Sequence, residues 1–163
     1  MDVRRQLAYA DKARLLLRET LEANPEAFER RFETTGPYHT IRELVAHLVG
    51  AEQRWTIGRL YGEPRPPRYE DAAAQTLAGL FTDWEDIRAR TRAFASRADA
   101  DTLARVIRFE MPPGGQTVSL TLEEVLFNIC NHQSWHLGQI SMALQQMGTD
   151  PPNFDYVLLR PAP

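Results

Sequence analysis

Apolar residues recur at three-to-four spacing in four stretches of the chain, and each stretch reads as an amphipathic helix turning one face to a core. The first, roughly residues 2–23, carries Val3, Leu7, Ala10, Leu17 and Leu21 and stops at Asn24-Pro25. The second opens on Thr40-Ile-Arg-Glu43 and runs through Leu44, Leu48, Ala51 and Trp55 to Gly62. Its opening spells a capping box, in which Thr and Glu satisfy orphan backbone amides. The third, about residues 71–98, repeats Leu77, Leu80, Phe81, Trp84, Ile87, Thr91, Phe94 and Ala98. The fourth starts at a second capping box, Thr121-Leu-Glu-Glu124, and passes Val125, Ile129, Ile140 and Leu144 before stopping at Gly148-Thr-Asp-Pro151. All 11 prolines lie between or beyond these stretches, as helix interiors require. Residues 106–111 and 116–120 are rich in β-branched and large apolar residues and flank Pro112-Pro-Gly-Gly115, which predicts a β-hairpin. The expected fold is all-α: one domain over residues 1–163, a four-helix bundle with a short β-hairpin between helices three and four. The hairpin and the tail of residues 154–159 are expected to pack outside the bundle.

Composition narrows the function more than the fold. The 163 residues are 43% apolar and 25% charged, which suits a single soluble globular domain with a sizeable core. Nineteen basic residues face 22 acidic ones for a net charge of −3, and the basic residues, all arginine except Lys12, are scattered rather than gathered in a stripe. A nucleic-acid partner is therefore not expected. Charges run throughout MDVRRQLAYADKARLLLRET, so no signal peptide is read there, and no later stretch has the length of a membrane span. A cytoplasmic protein without a membrane partner is the expectation. Cys130 is the single cysteine, so an intramolecular disulfide or a thiolate metal site has no partner. Metal chemistry would fall to histidine and carboxylate.

Three of the four histidines sit where such chemistry could be built. His132 and His136, four apart on the fourth helix, lie within ~40° of each other on one face. Asn128 and Gln139 flank them on one side, while Ile129 and Ile140 continue the core stripe on the other. His47 holds the same border position on the second helix, with Leu44 and Leu48 to one side and the small residues Ala51 and Gly58 above it, leaving room for a pocket. One isolated histidine of this kind is ordinarily half buried and satisfied by a local hydrogen bond. Burying three unpaired imidazoles costs several kcal/mol, roughly the desolvation of as many polar groups, unless something unites them. A divalent metal does so and keeps coordination positions open. The third histidine joins the pair only if the second and fourth helices are neighbours.

The segments Gly36-Pro-Tyr-His-Thr-Ile-Arg-Glu-Leu-Val-Ala-His47 and Asn131-His-Gln-Ser-Trp-His-Leu-Gly-Gln-Ile140 resemble the DinB-like, or YfiT-like, superfamily, and the similarity spans about residues 3–160. The resemblance implies a four-helix bundle with a hairpin before the last helix and a three-histidine metal site. Its signature is one histidine in helix two and H-x-x-x-H followed closely by Gly-Gln in helix four. Carried across, the ligands are His47, His132 and His136, and all three positions match. Leu137 stands where some relatives have His or Arg, which removes one polar contact. Characterised relatives include metal-dependent thiol transferases that use bacillithiol, mycothiol-dependent isomerases and hydrolases. The resemblance thus implies a divalent ion (Zn, Ni or Fe), with a low-molecular-weight thiol such as bacillithiol as a candidate cofactor.

Other residues qualify as partners to that site. Arg54 falls within ~20° of His47 on the helical wheel and could hold an anionic substrate or a thiol's carboxylate, or simply be an exposed arginine. Asn128 and Gln139 could orient a ligand imidazole. His39, ahead of the Thr40 cap, reads as a loop histidine, and Cys130, about 200° around the helix from His132, as a small core residue. Glu43 is claimed by the capping box, Glu52 is the other carboxylate near His47 in sequence, and no general base emerges, leaving a metal-activated water or thiol as nucleophile. Trp55, Trp84 and Trp135 read as core or interface residues. A ferritin-like Glu-x-x-His pair and a His-Glu-x-x-His motif are both absent. The first reading is a metal-dependent enzyme acting on a small molecule, with the ion activating a thiol or water as in a thiol S-transferase; the alternatives are a metal-dependent hydrolase or a non-catalytic stress-response module for metal binding or dimerisation. Spare Trp and Phe on the helical stripes lead to the expectation of a homodimer.

Overall fold

The fold comes from a computed structural model that describes residues 2–72, 76–111 and 114–161. Four long helices form the bundle: α1 (Val3–Ala23), α3 (Ile41–Trp55), α4 (Leu77–Arg97) and α6 (Leu122–Gln146). Between them lie short helices α2 (Pro25–Glu29) and α5 (Ala100–Ala104), and α7 (Tyr156–Leu159) closes the chain. Both capping boxes form, Thr40 with Glu43 and Thr121 with Glu124. At the far end of α6, Gly148 takes φ +79°, the left-handed conformation that lets the chain turn away.

Two boundaries differ from the periodicity. The second predicted helix ends as α-helix at Trp55 and continues only as a π turn over Thr56–Leu60. The third begins at Leu77, capped by the Thr76 hydroxyl, and Tyr69–Asp71 forms a separate 3-10 turn. The helices α2 and α5 are too short to show a period; Pro25, expected only to end α1, is the first residue of α2, where its missing N–H costs nothing. The hairpin is present: β1 (Val106–Met111) pairs antiparallel with β2 (Gln116–Thr121), Val106 opposite Thr121 and Met111 opposite Gln116. Pro112 and Pro113, assigned to its turn, and residues 73–75 of the expected third helix lie outside the described residues.

The predicted stripes supply the interior, with Trp55, Leu77, Ile87 and Phe94 half-buried at its margins. Leu17 and Leu21 of α1 pack with Leu44 and Leu48 of α3, Leu80, Phe81 and Trp84 of α4, and Ile140 and Leu144 of α6, while Val3, Leu7 and Ala10 form a second cluster with Val125 and Ile129. Helices α3 and α1 each pack against both α4 and α6. The second and fourth predicted helices are therefore neighbours, the condition for uniting the three histidines. The core also holds a charge pair that periodicity did not announce. Arg88, fully buried, bonds Glu52 Oε2 and Gln133 Oε1 through Nη2 at 2.8 and 2.6 Å. Glu52 also accepts from Trp84 Nε1 and Thr91 Oγ1, each at 2.8 Å. No described helix is long and apolar enough to cross a membrane.

Candidate metal centre

His47 leaves α3 on the side facing α6, where His132 and His136 stand one turn apart. One ring nitrogen from each of the three lies within 4.8 Å of the other two. His132 Nε2 is 3.2 Å from His47 Nε2. Two nitrogens bound to one ion at ~2.0–2.1 Å stand roughly 2.9–3.4 Å apart, so this pair already has ligand spacing. The rings of His132 and His136 are edge-on at 4.5 Å, and those of His47 and His136 at 4.9 Å.

The outer ring nitrogens decide which way the lone pairs point. His136 Nδ1 is 2.6 Å from Gln139 Oε1, an acceptor, so the proton sits on Nδ1 and Nε2 is a bare lone pair. That Nε2 is buried and has no hydrogen-bond partner. A buried acceptor facing two other imidazoles is costly unless it meets an electrophile, and a divalent cation fits this donor set. His47 is held in the same sense: its Nδ1 lies 3.1 Å from Glu70 Oε1 and 2.6 Å from Tyr38 Oη, leaving Nε2 to turn inward. Burial first, then the neighbouring His136, His47 and Arg54, pushes the His132 imidazole down to about 3. His136 is likewise lowered by burial. Both are neutral bases at physiological pH, the form that binds metal.

The flanking residues divide. Gln139 orients His136 as the sequence suggested, whereas Asn128 makes no side-chain hydrogen bond among the described residues. Arg54 is neither free for an anionic ligand nor simply an exposed arginine: Nη1 is 3.0 Å from Glu70 Oε2, so the guanidinium already faces a carboxylate. Burial acts against the Glu70 charge, yet hydrogen bonds from His47 and Arg54 outweigh it and hold the carboxyl down at about 2. Gly58 faces open space as the sequence suggested, whereas the space above Gly50 is filled by Glu70, whose Oε2 would stand 2.7 Å from an added Cβ. His39 takes part through its backbone, its N–H donating to Glu43 and its carbonyl oxygen accepting from Phe32 N–H. Cys130 is buried, and that burial pushes its thiol up to about 12, an inert core residue. Glu52 belongs to the core pair with Arg88, and Trp84 is core, but Trp135 is 63% exposed with its ring centroid 5.0 Å from that of His136.

Sequence reasoning missed Tyr38 and Glu70. Tyr38 precedes the first capping box and stacks on His47 at 4.7 Å; Glu70 comes from the 3-10 turn beyond a proline-rich linker. The available signal was Gly50, a glycine inside a well-capped helix one turn from His47. A cleft of about 350 Å³ opens beside the centre, walled by Phe32, Tyr38, Leu44, Trp135, Gln139 and Met142, with Glu33 as the carboxylate on its lining.

The family model of the DinB family matches residues 3–162. Among solved structures the chain is similar to YfiT from Bacillus subtilis, described as a probable metal-dependent hydrolase with an unusual four-helix bundle topology. The two share 18% identity and a TM-score of 0.68 over 89% of this chain and 87% of that one. A DinB-like protein, YjoA, from Bacillus subtilis is similar at 16% identity and a TM-score of 0.61, over 94% of this chain and 96% of the other. No curated protein matches the chain. At these identities the structural likenesses speak for the fold.

Proposed function

Because the chain belongs to the DinB family, and its three histidines converge with the Nε2 of His136 left bare among them, we propose that it is a metal-dependent hydrolase acting on a small, largely uncharged substrate. The observation that carries this reading is the buried, partnerless Nε2 of His136 facing His47 and His132. His47, His132 and His136 would hold a divalent ion, which when bound would supply Lewis acidity toward a water and a carbonyl or phosphoryl oxygen.

The chain's own residues do the positioning. Gln139 fixes the His136 tautomer, and Glu70 with Tyr38 fixes His47. Burial, then the Glu70 charge, raises the Tyr38 phenol, which therefore keeps its proton beside the cleft. Glu70, ionised and tied to Arg54, orients rather than takes a proton. The exposed Trp135 and Met142 give the cleft an apolar wall, and its lining carries no basic side chain to hold an anion. That lining and the engaged Arg54 favour hydrolysis over transfer of an anionic thiol such as bacillithiol.

The test is metal content of protein purified without a histidine tag or added metal, followed by metal-dependent cleavage of neutral aryl esters and amides. About one ion per chain is expected, lost in His47→Ala, His132→Ala and His136→Ala and kept in His39→Ala. Equal metal content in all four variants would end the three-histidine reading. A thiol-dependent near-ultraviolet band in the cobalt-loaded protein, without ester cleavage, would replace hydrolysis by thiol transfer.

A further inference from the structure

Glu70 is out of keeping with its surroundings. Residues 61–65, 67, 68, 71 and 72 of the connection between α3 and α4 are exposed, yet the Glu70 side chain is only 11% exposed. Its carboxylate has left solvent to lie across α3, with Oε1 3.1 Å from His47 Nδ1 and Oε2 3.0 Å from Arg54 Nη1. Burying a charge this way is favourable only when its partners replace the water lost.

The helix beneath is shaped to receive it. Gly50 lies buried inside α3, a position where glycine disfavours the helix relative to alanine. A Cβ at that position would meet Glu70 Oε2 at 2.7 Å, Glu70 Cδ at 2.9 Å and Arg54 Nη1 at 3.0 Å. All three atoms belong to the ends of two flexible side chains, so alanine would not break the helix. It would instead push the carboxylate away from His47.

Glu70 shares the anchoring of its segment with Tyr61, whose Oη donates to the Arg90 carbonyl oxygen at 3.0 Å, and with Tyr69, which packs against the core. Tyr69 Oη donates to Asp83 Oδ2 at 2.5 Å, and Glu63 accepts from Arg90 on the exposed face. We infer that Glu70, seated over Gly50 and clamped by Arg54, is the positioning residue of the metal centre, and that its docking couples the order of residues 61–71 to metal occupancy at His47. The inference rests on the three-histidine metal reading. Its chemistry is that of a carboxylate behind a ligand imidazole. An ion on Nε2 makes Nδ1–H a stronger donor, so the hydrogen bond to Glu70 tightens on loading, and a docked Glu70 in turn makes Nε2 a better ligand. Coupling of this kind is reciprocal: whatever metal does for docking, docking does for metal affinity.

The experiment measures zinc affinity by chelator competition, and amide hydrogen exchange of residues 61–72 with and without zinc, in the full chain. In the wild type, zinc should slow exchange in this segment. Glu70→Ala should bind zinc about 10–100-fold more weakly and lose the zinc-dependent protection. Glu70→Gln, which keeps an acceptor for His47 but loses the ion pair with Arg54, should fall between. Gly50→Ala, with Glu70 chemically intact, should weaken zinc in the same direction, while Glu63→Ala, which loosens the segment without touching the Glu70–His47 contact, should weaken zinc less than Glu70→Ala. Zinc affinity within twofold of wild type in both Glu70 variants, or exchange in the wild-type segment indifferent to zinc, overturns the inference and leaves the metal reading standing. Absence of zinc binding by the wild type overturns both.

Discussion

Replacing Glu52 by Gln keeps the side chain's shape and removes its charge, which isolates what the buried ion pair contributes to the bundle. Arg88 is fully buried and Glu52 is 4% exposed, so solvent cannot take over when the charge is lost. Arg88 Nη2 bonds Glu52 Oε2 at 2.8 Å and Gln133 Oε1 at 2.6 Å, while Asp11 lies farther off, 3.4 Å from Nη1. An amide at position 52 would also turn N–H toward a site ringed by the donors Arg88, Trp84 and Thr91. Breaking one partner of a buried pair costs about 3–5 kcal/mol, a large part of the ~5–15 kcal/mol that holds a domain folded. At an m-value of ~2 kcal/mol/M, the urea midpoint followed by circular dichroism should fall by about 2 M. The double variant Glu52→Met with Arg88→Met removes both charges together and should be less destabilised than Glu52→Gln, because no lone cation is left in the core. A loss under about 1 kcal/mol for Glu52→Gln, or a double variant less stable than the single, would refute the view that Arg88 is an uncompensated buried cation once Glu52 is neutral.

Two further outcomes are expected. Zinc at about 100 times its dissociation constant should add ~2.7 kcal/mol and raise the melting temperature by roughly 5–11 °C; His136→Ala should show no shift, and chelated wild type should stay helical because the core does not depend on the ion. The Glu70 carboxyl is held down at about 2 against an ordinary 4.5, so its contribution to stability is complete above pH 4.5 and is lost as pH falls toward 2. In metal-free protein, Glu70→Gln should therefore flatten the acid limb of the stability curve over that window, as followed by urea unfolding at each pH, and an unchanged slope would contradict the Glu70–His47–Arg54 arrangement.

The four helices were legible in the sequence because helix formation is local: the spacing of Leu7, Leu17 and Leu21 or of Val125, Ile129 and Ile140 marks a buried face wherever the helix goes. The capping boxes at Thr40 and Thr121, the Gly148 stop and the hairpin strands are local in the same sense. The histidine pair on α6 also required only the turn of one helix. Whether His47 belonged with that pair was not local, since it depended on α3 and α6 being neighbours across 85 residues of chain. Tyr38 and Glu70 were out of reach for a stronger version of that reason. Neither belongs to a periodic element, and each meets His47 only because a loop folds back over α3. Arg54 shows the limit from the other side: the wheel put it beside His47 correctly, but its partner, an acidic residue of the chain itself, came from another part of the fold. Glu52 and Arg88 look like surface charges by residue type, and only the packing of α3 against α4 buries them together, because a charge can leave water once the tertiary structure brings a counter-charge within hydrogen-bonding distance.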